Sequence, residues 1–233
     1  MVQRRRVILA SLAAPCVVRA NVADAAVILR RARERYAGLK TYQDHGNVRY
    51  RLVGSVNEVT FETAFVRPDM FRFEWSKGHP FPPLRHFVTR SAIWGNADGA
   101  FTWIRYPGRD ATMRKDASLA MSVAGATGVS SGAAHTIATL LMPDLWREES
   151  YGKSVLDLES AQWAGADAAD GVAVHRIRGQ QRGGPVELWI GKEDGLLRRV
   201  VTELGSTVFT ESRECILIDA DVPASRFASP PTG

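Results

Sequence analysis

A chain of 233 residues, 45% hydrophobic and 24% charged, can bury a sizeable core, which excludes an intrinsically disordered protein. No apolar run reaches the roughly 18–20 residues that a membrane-spanning helix requires. The formal net charge of +5 rests largely on the first 20 residues, which hold Arg4, Arg5, Arg6 and Arg19 and no acid; the remainder keeps 26 basic against 25 acidic side chains, a net charge of +1, and gives no electrostatic reason to expect a nucleic-acid partner.

The stretch MVQRRRVILASLAAPCVVRA has an arginine-led start, an apolar centre from Val7 to Val18 and small residues at its end. That is the pattern of a secretory signal, so residues 1–20 are set apart from the fold. The Arg5-Arg6 pair leaves twin-arginine export open as a route. Pro15 directly before Cys16 fits a lipid-attachment box poorly, and Cys16 is read as part of the removed segment. Cys215 is then the single remaining cysteine, so no intrachain disulfide can form.

Residues 21–41 predict a helix capped by Asp24, with Ala26, Leu29, Ala32, Tyr36 and Leu39 as its apolar stripe and an arginine-rich solvated face. From Tyr42 the period changes to two. Strands are predicted at 42–53, 56–66, 69–77, 86–94, 101–106, 154–163, 172–179, 186–191, 196–204 and 207–218, separated by turn pairs such as Gly54-Ser55, Asp98-Gly99 and Asp194-Gly195. Ten strands with hairpin-length links imply an antiparallel meander. The proline-rich segment His79–Pro83 reads as a rigid surface loop.

Residues 116–142 interrupt the meander and read as two helical halves, with Leu119, Val123 and Ala126 on one face and Ile137, Leu140 and Leu141 on another. Gly125, Gly128 and Gly132 are placed between the halves as a hinge. No repeat or linker divides the chain, so residues 21–233 are expected to form a single domain.

Alternation puts Phe61 and Phe65 on one face of their strand, Phe71, Phe73 and Trp75 on one face of the next, and Phe101 and Trp103 on a third. A shared aromatic face has two readings: a core filled by the helices, or the wall of a cavity beneath a helical lid. The interrupted insertion favours a lid, and the expected lining is Phe61, Phe65, Phe71, Phe73, Trp75, Phe101, Trp103, Ile137, Leu140 and Leu141.

Catalytic signals are sparse. Ser130, Ser131 and His135 stand at spacings of five and four that can share one helical side, with Asp144 as a conceivable third member, but no nucleophile elbow surrounds them and capping by either serine is the simpler role. His45, His79, His86, His135 and His175 lack metal-ligand spacing, and no phosphate or dinucleotide loop is present. Glu211, Glu214 and Asp219 read as solvated strand carboxylates. No cofactor or metal is therefore expected.

FVRPDMFRFEW (65–75) followed by GNADGAFTWIRYPG (95–108) resembles the periplasmic lipoprotein-carrier superfamily of LolA and LolB, at Arg67, Pro68, Phe71, Arg72, Phe73, Asp98, Gly99, Trp103, Tyr106 and Pro107. VELWIGKEDGLLRRV (186–200) and DADVPASRF (219–227) resemble the late strands and terminal segment of its uncharacterised relatives. The resemblance implies a mostly β fold: an open antiparallel half-barrel with an N-terminal helix and a helical lid. It also implies a monomeric, non-enzymatic periplasmic carrier of a lipid or acylated protein, exchanging with a membrane-bound donor or acceptor. The insertion supplies no lid-latching arginine of the LolA type, so an apolar ligand is implied more directly than a lipoprotein. The alternative is a periplasmic sensor or interaction module whose hollow is filled by its own side chains.

The signal predicts that the exported protein begins near Asn21. N-terminal sequencing of the periplasmic fraction checks this, and an intact Met1 confined to the cytoplasm refutes it.

Overall fold

The computed structural model describes residues 14–52, 54–79, 81–84, 86–146 and 153–229, with side chains from Asp24 onward. The arginine-led part of the expected signal lies outside these residues. A helix, α1 (Ala14–Gly38), begins before the expected Asn21 and ends before the expected Thr41. Pro15 sits in its first turn, where a missing N–H is tolerated. Asp24 therefore lies inside the helix and is not its cap. Ala25, not Ala26, joins Leu29, Ala32 and Tyr36 on the buried face.

The strands form one open sheet of 11 in the order β6-β5-β4-β3-β2-β1-β11-β10-β9-β8-β7. Their bounds are β1 (Thr41–Leu52), β2 (Ser55–Val66), β3 (Met70–Gly78), β4 (Val88–Asn96), β5 (Gly99–Arg105), β6 (Thr112–Asp116), β7 (Glu159–Ala169), β8 (Val172–Gln181), β9 (Gly184–Gly191), β10 (Leu197–Leu204) and β11 (Thr207–Ile218). All neighbours pair antiparallel, so the architecture is a mostly β, unclosed half-barrel.

Eleven strands replace the expected ten because β6 is added. Its Arg114, Lys115 and Asp116 hide it from any apolar alternation, and charges suit a strand at a sheet edge. β7 begins later than expected. Its Ala-, Gly- and Asp-rich sequence has little strand propensity and is held by pairing with β8. The single meander is in fact two, β1–β6 and β7–β11, joined where β1 pairs β11.

The insertion forms α2 (Leu119–Val129) and α3 (Ala133–Leu141). The Ser118 hydroxyl caps α2 by accepting from Met121 N at 3.2 Å. Gly125 and Gly128 lie within α2, so the break is narrower than expected. It falls at Ser130–Gly132, where Ser131 and Gly132 both take the left-handed conformation, with φ of 57° and 96°.

The helices cover the concave face. α1 packs along β7 and α3, and α2 packs against β4, β5 and β6. On the convex face the C-terminal segment crosses the sheet like a strap. Val222 and Phe227 pack on Ala64, Val66 and Met70, and Arg72 donates to Ala228 O. Among the described residues of the expected His79–Pro83 loop, Pro82 begins a short 3-10 turn, Pro82–Leu84.

Phe73 is fully buried between Phe61 and Trp75, with ring centroids 5.4 and 5.8 Å away. Phe73→Ala is expected to lower unfolding stability by about 3–5 kcal/mol with an unchanged denaturant slope, measured by urea titration.

Candidate ligand-binding site

Strand register brings most of the expected aromatics together. Phe61, Thr63 and Phe65 on β2 lie directly opposite Trp75, Phe73 and Phe71 on β3. Ile137, Leu140 and Leu141 of α3 belong to the same buried cluster. This part of the hollow is filled: Phe65, Phe71, Phe73, Ile137 and Leu141 have no exposed surface.

Phe101 and Trp103 do not join that face. Phe73 pairs Ile93, and Ile93 pairs Thr102, so the concave face of β5 carries Thr102. Phe101 and Trp103 instead pair Trp94 and Ala92 and form a small cluster with them on the convex face. One residue of parity decides the matter. It is set by the turn at Asn96–Gly99, which alternation within β5 does not reveal.

Next to the filled region lies a cavity of about 490 Å³. Its floor is the concave face of β1, β10 and β11: Val48, Tyr50, Val200, Thr202 and Phe209. The Tyr50 and Phe209 rings stack at 4.8 Å. Its roof is the junction of α2 and α3, where Gly128, Ser131 and Gly132 carry little side-chain volume. His135 and Lys153 stand at its margin. The expected lining included none of these residues. Val48 and Tyr50 alternate as the aromatics do, but their partners on β10 and β11 are some 150 residues away in sequence and come alongside only through the β1–β11 pairing.

A buried polar cluster separates the cavity from the aromatic core. Arg213 on β11 is 1% exposed. It donates to Asp44 at 2.5 Å, to Glu211 at 2.5 Å and to Ala133 O, at the start of α3, at 3.2 Å. Thr136 of α3 donates to the other Glu211 oxygen at 3.1 Å. The guanidinium also lies 4.8 Å over the Phe61 ring. Glu211 is thus buried and paired, in contrast to the solvated carboxylate expected; Glu214 and Asp219 are exposed. Burial works against the Arg213 charge, but Glu211 and Asp44 outweigh it and hold its pKa well above the ordinary value. Burial pushes the Tyr36 hydroxyl up to about 12 and that of Tyr42 well above its ordinary value, so both stay neutral; Tyr42 donates to Asp44 at 2.7 Å and Tyr36 accepts from Leu197 N at 3.2 Å.

A second arginine holds the opposite end of α3. Arg67 donates to Leu141 O at 3.3 Å and to Tyr36 O and Leu39 O at 3.1 and 2.8 Å. Carbonyls at helix C-termini lack intrahelical partners and carry partial negative charge, so a guanidinium serves them well. The insertion shows no such arginine because both lie outside it, Arg213 on β11 and Arg67 in the turn between β2 and β3.

The serine of the candidate triad has a capping role. Ser130 Oγ is engaged with the backbone, donating to Thr127 O at 3.3 Å and accepting from Ala134 N at 3.2 Å. Asp144 follows α3 (Ala133–Leu141), in the 3-10 turn Pro143–Trp146. The His135 ring packs against Trp146 at 5.8 Å. Among the described residues, no group of three or more His, Cys, Asp or Glu could hold a metal ion.

No protein-family model matches the sequence, and no curated protein sequence matches it. Solved structures do. LprF from Mycobacterium bovis is similar over 91% of this chain and 98% of its own, at 15% identity and a TM-score of 0.56. The Mycobacterium tuberculosis lipoprotein LppX is similar over 86% of this chain and 98% of its own, at 13% identity and a TM-score of 0.49. A LolA superfamily protein from Nitrosomonas europaea covers 88% of this chain and 97% of its own, at 12% identity and a TM-score of 0.36. The likeness to LprF is one of fold, and the resemblance read from residues 65–75 and 95–108 is met at that level.

The anchor of α2 generates a pH prediction. Burial raises the Asp116 pKa, but hydrogen bonds from Ser122, Thr102 and Arg114 outweigh it, so the net shift is down from 3.8. The stability it contributes is present above that ordinary value and is lost as pH falls through the lower folded-state value. Melting temperatures of Asp116→Asn and the parent should differ at pH 6, and the difference should shrink as pH falls below the ordinary value of 3.8. A gap that persists at low pH would show that the carboxylate charge is not what anchors α2.

Proposed function

We propose that this protein is an exported, non-enzymatic carrier or binding protein for a lipidic or acylated ligand. The observation that carries the reading is the cavity of about 490 Å³ between the α2–α3 junction and the floor of β1, β10 and β11. Its volume falls within the range of small-molecule sites, about 300–1,000 Å³. Each methylene removed from water gains about 0.8 kcal/mol, so a chain of roughly twelve gains on the order of 10 kcal/mol before ordering costs. No covalent step or cofactor is needed to bind or release such a ligand. The fold shared with LprF and the LolA-like motifs support the reading.

Lys153 and His135 at the margin would receive an anionic head group, with Lys153 exchanging its exposed pairing to Glu159 at 3.6 Å. A longer chain requires α3 to lift. That movement breaks the Arg213 bond to Ala133 O and the Thr136 bond to Glu211, and turns at the left-handed pair Ser131-Gly132. It uncovers Phe61, Phe73 and Trp75. In this proposal the predicted aromatics line the open state and Tyr50 and Phe209 line the closed one.

One observation favours the sensor or interaction-module alternative: the aromatic half of the hollow is already filled. Binding of a fluorescent fatty acid, with native mass spectrometry of detergent-free protein, decides between them. The carrier should hold co-purified lipid or bind the probe. Phe209 is only half-buried, so Phe209→Asp should keep the fold and weaken probe binding at least about tenfold, because an unpaired carboxylate in an apolar site costs a few kcal/mol. Parent protein that carries no lipid and binds no probe supports the module.

A further inference from the structure

Strand direction sorts the loops of the half-barrel between its two ends. The links β1–β2, β3–β4, β5–β6, β8–β9 and β10–β11 all emerge at one end, and β2–β3, β4–β5, β7–β8 and β9–β10 at the other. The two ends differ sharply. At the first, Leu52, Val56, Phe81, Phe87, Leu204 and Val208 are 45–57% exposed. Single exposed hydrophobics are ordinary, but a row of them along one rim is not. Arg51, Arg109 and Arg182 are exposed on the same loops, against the acids Asp110 and Glu203. The second end carries exposed Asp69, Asp98, Asp170 and Glu193 beside exposed Arg31, Lys40 and Lys115, and no exposed large hydrophobic in its links.

The apolar end is also where the cavity lies. Tyr50 and Phe209 on its floor lead directly to Leu52 and Val208, and Leu204 belongs to both the cavity and the rim.

We propose that this rim is a membrane-docking surface that seats the half-barrel on an anionic lipid bilayer. Apolar side chains flanked by arginines match the boundary between acyl chains and anionic head groups. The second end has no such apolar row in its links, which fixes the orientation. An acyl chain leaving the bilayer then enters the cavity without crossing water. The docking stands on the rim alone; only the delivery of a chain rests on the carrier reading.

Co-sedimentation of the full chain with phospholipid vesicles tests it, using protein recovered from the producing cell with its N-terminus determined. The parent should bind vesicles of about one-third phosphatidylglycerol and bind pure phosphatidylcholine vesicles roughly tenfold or more weakly, with salt reducing the former. Leu52→Ser/Phe81→Ser/Leu204→Ser should lose binding to both. Arg51→Glu/Arg182→Glu should lose at least about tenfold on anionic vesicles only. Parent and variants share one N-terminus, so a loss belongs to the rim. Circular dichroism confirms folding, and single Phe81→Ser and Leu204→Ser variants replace the triple if it does not fold. Absence of vesicle binding by the parent, or variants that bind as the parent does, overturns the proposal. So does a parent dimer that the triple variant dissociates without any vesicle binding, which assigns the rim to a second copy. Fatty-acid probe binding in solution is scored separately, so failure of docking is distinct from failure of the cavity.

Discussion

The guanidinium of Arg213 is almost fully withdrawn from water, and a buried charge is costly unless it is closely paired. Its partners come from three places in the chain: Asp44 on β1, Glu211 on its own strand and the Ala133 carbonyl of α3. The pairing of β1 with β11 joins the two meanders, and Gly46 lies directly opposite Arg213 in that pairing. A Cβ on Gly46 would stand 2.2 Å from Ser212 O and 2.3 Å from the Phe61 ring, so this position needs glycine for the aromatic to cross β1. Removing one member of such a buried pair typically costs about 3–5 kcal/mol, which ties the sheet seam and the lid to the same few atoms. The polarity of the cluster thereby specifies where α3 sits, whereas the aromatic contacts around it are less directional.

The position of the cavity follows from side-chain volume. Over β2, β3 and β4 the helices present Ile137, Leu140 and Leu141 to large aromatics, and the space closes. Over β1, β10 and β11 the roof is Gly128 near the end of α2 with Ser131 and Gly132 of the break, while the floor is β-branched residues and one stacked aromatic pair. Small residues above and modest ones below leave a gap that the adjacent region does not have. The gap follows from the low-volume composition of the insertion.

Much of this protein was legible in its sequence because the relevant signals are local. Period-two alternation located most strands, and the aromatics of β2 and β3 were correctly assigned to a common face since the short Arg67–Asp69 turn leaves little freedom of register. The helical insertion was visible against that background, and the motifs at 65–75 and 95–108 pointed to the open half-barrel. Side-chain pattern within one element was enough for these assignments. Tertiary structure decided the rest. It turned Phe101 and Trp103 to the convex face through strand parity, added a charged edge strand at Thr112–Asp116, and placed the cavity on residues of β1, β10 and β11 that are remote in sequence. It also buried Glu211 beside Arg213, where two residues that alternate as ordinary strand charges become a latch once α3 covers them. Burial, register between distant strands and the sharing of one arginine by three segments are properties of the assembled chain, and no window of a few residues contains them.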